Sequence, residues 1–443
     1  MIFRRKIYNE LLKWKNQDNG STAMLVKGAR RVGKSTVVAE FAKNEYQSHI
    51  IIDFAECSQE TLALFNDISD LNRIFVKLQF DYHTTLVERK SVIVFDEVQL
   101  APKARQAIKY LVKDGRYDYI ETGSLISIRK NIEGIVIPSE EVELCMYPMD
   151  YEEFRWALND TATIPLLAQC YQQKTSMGDS TNRKLLRDFR LYMLVGGMPQ
   201  AVSTLIATNN LEAVDRVKRN IITLYEKDFN HIDISGVAAR MFHNIPSQLT
   251  SNANRYMTWN ISDGTSQAYL EDIIHELKES MVVNIAYHAN DPNVGMALHH
   301  STDKFKMFIG DTGLFVTLAF WDKTFTDNII YKKLLSDKLS ADLGYVYENV
   351  VAQMLKSSGY ELYYYTFPTE SGKHNYEVDF IIAEDDKISP IEVKSSGYKA
   401  HASLDAFKNK YASRIRNRYL IYTKDLRKEQ DIICLPLYMT PFL

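Results

Sequence analysis

Gly28-Ala29-Arg30-Arg31-Val32-Gly33-Lys34-Ser35, set between an apolar run at 22–26 and an amphipathic stretch at 35–45, decides how this chain is read. The order is Gly-x4-Gly-Lys-Ser after a strand and at the start of a helix, the context in which such a match marks a phosphate cradle. Gly28 and Gly33 let the backbone curl until successive N–H groups face inward. The helix that follows adds unpaired N–H groups and a dipole that favours an anion. Lys34 would neutralise the outer phosphates of ATP, and the Ser35 hydroxyl would coordinate Mg2+. The expected nucleotide-contacting stretch is Gly28, Ala29, Arg30, Arg31, Val32, Gly33, Lys34, Ser35 and Thr36. Arg30 and Arg31 have two readings, as phosphate contacts or as solvated surface charges.

A second motif lies downstream. Residues 91–95 form a hydrophobic strand pattern that ends in Asp96 and Glu97. Asp96 at the strand tip would hold the Mg2+ shell, and Glu97 would orient and deprotonate a water for attack on the outer phosphate. Thr122-Gly123-Ser124 ends the next strand pattern. Ser124 has two readings there, as a sensor of the outer phosphate or as a turn or cap hydroxyl. Arg129 is a candidate arginine finger by position only.

Strand patterns at 22–26, 49–54, 91–95 and 117–121 alternate with helical ones at 35–45 and 104–113. Such alternation predicts a parallel sheet with helices on both faces. The expected fold class is multidomain α/β, with a P-loop ATPase domain over 1–149 and a helical lid over 150–235. A winged-helix-like domain is expected over 236–330, from helices ending near 249 and spanning 265–282 and then strands at 283–289 and 304–309. A second α/β domain follows over 331–443.

In that last domain Asp379 opens one strand pattern, while Glu392 and Lys394 alternate on the next and therefore share a face. Glu348 on the helix at 345–356 could add a third carboxylate. The carboxylates Glu348, Asp379 and Glu392 could bind one or two Mg2+, with Lys394 polarising a water or a scissile phosphate. The arrangement resembles that of the restriction-endonuclease-like fold. The alternative is a half-exposed strand face with no chemistry.

The bulk properties set limits. With 443 residues, 46% hydrophobic and 25% charged, the chain reads as several globular domains. A net charge of -3 requires any nucleic-acid surface to be local. The four cysteines form no CxxC pair, which suits a reducing cytoplasm. No run of about 18 apolar residues is present, so no membrane span is expected.

The stretches GARRVGKS, VIVFDE, TGSL, YPMDYEEF, VGGMP, YEKDF, FIGDTGL, YENVV and EVDF with IEVK follow one another along nearly the whole chain. In this the sequence resembles prokaryotic AAA/STAND-like ATPases fused to a domain of unknown function with a restriction-endonuclease-like C-terminus. The resemblance implies an ATP site at Gly28, Gly33, Lys34, Ser35, Asp96, Glu97 and Ser124, and a nuclease-like site at Glu348, Asp379, Glu392 and Lys394. It also implies that Pro199 of the Gly-Gly-Met-Pro element approaches the nucleotide, the alternative being a helix–helix turn. Three functions are therefore in competition. They are an ATPase that moves its C-terminal domains, an ATP-gated DNA nuclease, and a binding switch with a C-terminal docking surface. DNA, a protein partner or a second copy are the partners considered.

Overall fold

The computed structural model describes residues 1–124, 138–251, 255–258, 266–322, 328–336, 344–395 and 401–443. Leu125 and Arg129 lie outside the described residues. The chain divides into two compact units, Met1–Tyr147 with Glu279–Met281, and Pro148–Lys278 with Val282–Leu443.

The first unit opens with helix α1 (Ile7–Asp18) and then builds a five-stranded sheet. Its strands are β1 (Ala23–Lys27), β2 (Ser48–Asp53), β3 (Ser91–Asp96), β4 (Asp118–Gly123) and β5 (Glu141–Cys145). All neighbours pair in parallel, in the order β2-β3-β4-β1-β5. Parallel strands covered on both faces become continuously apolar, and every residue of β3 and β4 is buried. Helices α2 (Lys34–Glu45), α3 (Gln59–Ala63), α4 (Leu71–Asp81) and α5 (Pro102–Asp114) connect the strands. Pro102 starts α5 at a first-turn position whose N–H would have no partner in any case. Helix α4 is absent from the sequence expectations. It is capped by Asp70, which accepts from the Arg73 N–H, and it buries Ile74, Phe75 and Leu78.

The second unit begins with six helices, α6 (Tyr151–Ala157), α7 (Thr163–Gln173), α8 (Asp179–Val195), α9 (Pro199–Thr208), α10 (Leu211–Ile232) and α11 (Val237–Thr250). A capping box at Asp150 and Glu153 starts α6. Helix α12 (Gln267–Glu279) leads into β6 (Val283–Ala289) and β7 (His300–Ile309). Next come α13 (Thr312–Ala319), α14 (Asn328–Leu335), α15 (Gly344–Ser357), β8 (Leu362–Pro368), β9 (Asn375–Glu384), β10 (Lys387–Val393), α16 (Ala402–Tyr411), β11 (Arg418–Tyr422), β12 (Arg427–Glu429) and β13 (Ile432–Pro436).

The strands β6 and β7 differ from the expectation of a separate wing. They form the end of one eight-stranded sheet, ordered β12-β13-β11-β10-β9-β8-β6-β7. Strand β6 pairs in parallel with β8, Ala286 opposite Leu362, so the sheet runs across the expected boundary at 330/331. The reason lies in β6 itself: Val283, Ile285, Ala286 and Ala289 are buried on both of its faces, whereas a wing would keep one face wet. A core of Ala289, Met296, Tyr363, Tyr365, Phe367, Val378, Ile381, Ile388 and Phe407 likewise joins the two stretches.

The Gly-Gly-Met-Pro element sits in the core of this second unit. Asp311 caps α13 by accepting from the Leu314 N–H at 2.9 Å, and it also accepts from the Gly197 N–H. A Cβ on Gly197 would lie 2.0 Å from the Met149 carbonyl oxygen, so only glycine lets the two backbones meet. Pro199 occupies the first turn of α9. No single helix among the described residues is long and apolar enough to cross a membrane.

Candidate functional site

Strand order creates the first candidate site. Because β4 lies between β1 and β3, the tip of β4 stands beside both the loop after β1 and the end of β3. The loop is anchored by Ala29 and Val32, which are buried, while Arg30, Arg31 and Thr36 are exposed. Gly33 adopts φ 97°, a left-handed conformation that glycine takes without strain. Gly28 has a packing reason instead, since a Cβ there would lie 2.3 Å from the Met146 carbonyl oxygen.

Lys34 is buried, and its ammonium donates to the carbonyls of Gly28 at 3.0 Å and Ala29 at 3.1 Å. Burial pushes its pKa down, against the attraction of Glu97 and Asp96. These carbonyls belong to the loop itself, so the lysine lies across the cradle that the backbone forms. Charged acceptors such as phosphate oxygens would bind the same ammonium more strongly.

Three hydroxyl and carboxylate groups from three elements meet at the tip of β3. Ser35 donates to Asp96 Oδ1 at 2.8 Å, and Thr122 donates to the same oxygen. Thr122 Oγ1 in turn accepts from the Glu97 N–H at 3.3 Å. Glu97 holds a left-handed φ of 56°, unusual outside glycine, and its carboxylate accepts from the Gln99 side chain. Ser124 lies two residues beyond Thr122 and is buried at the strand end. The oxygens of Ser35, Asp96 and Thr122 are the hard donors a magnesium ion prefers, so the residues present fit that ion.

Sequence reading passed over one residue here. Arg5 is buried ahead of α1, and it donates to the Val32 carbonyl at 2.8 Å and the Tyr147 carbonyl at 2.6 Å. It straps the nucleotide loop to the end of the strand segment that follows β5. The charged opening at Arg4 and Arg5 gave no sign of this, because only burial tells a strap from a surface charge.

The second candidate site gathers Glu348 from α15, Asp379 from β9, and Glu392 and Lys394 from the end of β10. Two further residues join them, Glu377 on β9 and Lys306 on β7. Lys306 is buried, pairs with Glu377, and lies 3.8 Å from Glu348. Its burial works against the charge, but Glu348, Glu377 and Asp379 outweigh it and push the pKa up. Asp379 accepts from the Val393 N–H at 2.7 Å, and Glu392 pairs with Lys394 at 2.7 Å. Burial and then Glu348 push the Asp379 carboxyl well above its ordinary range, and burial also raises Glu392.

Two ammonium groups, Lys306 and Lys394, thus stand among four carboxylates, and the like charges around Asp379 are only partly offset. Lys306 brings a positive charge beside Glu348 and Glu377. Among the described residues no group of three or more His, Cys, Asp or Glu is arranged to hold a metal ion. Lys306 was not legible in the sequence, because only the sheet pairing brings β7 within reach of β9 and α15.

Residues 20–155 match a family described as an AAA domain. The N-terminal unit carries a P-loop ATPase domain. Two further matches lie in the second unit, at 186–324 and 343–439, both described as domains of unknown function (DUF8612 and DUF4143). Among solved structures, the Walker-type ATPase PABY2304 of Pyrococcus abyssi is similar at 15% identity and a TM-score of 0.42, covering 72% of this chain and 96% of its own. The STAND protein PH0952 of Pyrococcus horikoshii, with a tetratricopeptide repeat sensor, is similar at 12% identity and 0.25, covering 80% and 46%. Drosophila ORC bound to DNA is similar at 11% identity and 0.26, covering 66% and 89%. No curated protein matches the chain. The AAA domain thus rests on its sequence match and on the geometry of its own loop and strand tips.

Proposed function

We propose that this protein binds Mg-ATP in the AAA domain and hydrolyses it, with the nucleotide state biasing the conformation of the second unit. One observation carries the reading: Ser35, Asp96 and Thr122 share a single carboxylate oxygen, with Glu97 next in the chain. The N–H groups of Gly28 to Ser35 and the Lys34 ammonium would bind the phosphates. Ser35 and Asp96 would hold Mg2+, which supplies charge neutralisation at the outer phosphate. Thr122 would tie the Asp96 carboxylate to the Glu97 N–H. Glu97, held by Gln99, would orient the attacking water and accept its proton. Ser124, buried just beyond β4, would sense the outer phosphate.

The test is phosphate release from ATP with Mg2+, comparing the wild type with Glu97→Gln. Loss of a general base lowers turnover by about 100- to 10,000-fold. Tight ATP binding with no wild-type turnover would overturn hydrolysis and leave a binding switch. We also infer a reducing, cytoplasmic setting, supported by four free cysteines.

A further inference from the structure

We propose that a cleft in the second unit, between α8 and the connection from β11 to β12, binds the phosphate backbone of a nucleic acid. The cleft has a volume of about 930 Å3. Six cationic side chains line it: Arg183, Arg187 and Arg190 from α8, and Lys424, Arg427 and Lys428 from the opposite wall. The chain as a whole carries -3, so this is a local concentration of charge against the molecular average.

Only two acids line the same space, Asp179 and Asp425. Asp425 is buried and already accepts from Ser176 Oγ and the Gly178 N–H, each at 2.6 Å, and from the Leu426 N–H at 2.7 Å. Asp179 lies in the first turn of α8, where it complements the helix dipole. Arg187 pairs with Asp188 at 3.8 Å and Arg427 with Glu429 at 3.1 Å. Arg183, Lys424 and Lys428 are exposed and make no ion pair among the described residues. Bringing like charges from two separate segments into one concavity is unfavourable without an anion between them.

The chemistry of the walls favours a polyphosphate over an acidic protein segment. Four of the six cations are arginines, whose planar forks match phosphate oxygens in pairs. On α8 they recur at intervals of four and three residues, roughly 6 and 4.5 Å along the axis. Those intervals are of the order of one to two nucleotide steps of about 3.4 Å. Protein-binding hot spots are enriched in aromatic anchors, and the one aromatic here, Tyr422, is buried with its hydroxyl donating to the Asp425 carbonyl at 2.6 Å. Asn182, the one amide in the lining, is buried and committed to the Thr423 carbonyl at 3.3 Å. The contacts proposed are those of cations with backbone phosphates, which position a nucleic acid and carry no sequence information themselves.

The proposal stands apart from ATP hydrolysis and is tested without nucleotide. Fluorescence anisotropy of labelled single-stranded and duplex DNA is followed over a salt series for the full chain. The wild type is expected to bind at about 50 mM salt and to weaken steeply as salt rises. Combined Arg183→Ala, Lys424→Ala and Lys428→Ala should flatten the log–log salt slope by roughly 2 to 3 for three lost phosphate contacts. An equal charge loss on α5 of the other unit, Lys103→Ala, Lys109→Ala and Lys113→Ala, should leave the slope unchanged. Retained ATP binding and melting temperature show that each variant is folded. No wild-type binding, or equal losses in the two triple variants, would overturn the proposal. Displacement of DNA by polyglutamate at equal charge concentration would overturn it in favour of an acidic protein segment.

Discussion

The Ser35 hydroxyl donates to Asp96 Oδ1 at 2.8 Å, joining residues 61 positions apart in the chain. Thr122 donates to the same oxygen from β4. One carboxylate oxygen thereby ties the nucleotide loop, the β3 tip and the β4 tip together.

Removing the Thr122 hydroxyl tests that tie. Thr122→Val keeps the shape of the side chain but frees Asp96 and the Glu97 N–H from their common partner. Turnover should fall by about 10- to 100-fold, as for other groups that orient a metal ligand. ATP binding, measured by titration calorimetry, should change far less. Equal losses in binding and turnover would sink the positioning role.

Gly28→Ala should abolish nucleotide binding. The new methyl would lie 2.3 Å from the Met146 carbonyl oxygen, a backbone atom that cannot rotate away. The loop must shift, at a cost of about 1–3 kcal/mol by analogy with overpacked cores. Thermal melting with and without ATP reads both effects, and a variant that still gains stability from ATP would contradict the account.

Arg5→Met should weaken the first unit. The Val32 and Tyr147 carbonyls lose a charged donor in a buried place, worth about 1.5–3 kcal/mol for a hydrogen bond of this type. Urea unfolding followed at the first unit should show the loss, together with a raised KM for ATP. An unchanged KM would limit Arg5 to stability alone.

Lys306→Met should destabilise the second unit strongly. It would leave Glu348, Glu377 and Asp379 without their shared ammonium, and breaking one partner of a buried charge pair costs about 3–5 kcal/mol. The loss should shrink at lower pH, because burial and Glu348 already hold the Asp379 carboxyl well above its ordinary range and protonation removes the uncompensated charge. Unfolding curves at several pH values measure this. A loss that grows on acidification would be the opposite result.

Glu121→Gln should stabilise the AAA domain at neutral pH. Glu121 on β4 is fully buried, and burial and the neighbouring Glu141 push its pKa well above the ordinary 4.5. A carboxyl raised on folding favours the fold fully below its unfolded pKa, and that stability is lost as pH rises through the folded value. Glutamine carries no such charge, so the variant should hold its melting temperature as pH rises from about 4.5 while the wild type declines. Parallel pH profiles for the two would refute the assignment.

Much of the AAA domain could be read from sequence because its signals are local. Gly28 and Gly33 answer backbone demands at single positions, and the loop, the β3 run and the Asp96–Glu97 pair each lie within a short window. The helices at α2 and α5 are periodic over their own length. The sequence also marked Asp379, Glu392 and Lys394 by strand alternation, and Glu348 by its helix.

What those residues do was decided by pairings between distant segments. The parallel pairing of β4 with β3 brought Thr122 to Asp96. The parallel pairing of β6 with β8 made one sheet of two expected domains and delivered Lys306 into the acidic cluster. Helix α8 facing the β11–β12 connection made a basic cleft from charges that each look like solvated surface in the sequence. Local pattern fixes which face of a strand is buried, since that depends on alternation alone. It cannot fix which edge the strand joins, because backbone hydrogen bonds are the same for every partner and only the packing of the whole sheet selects one.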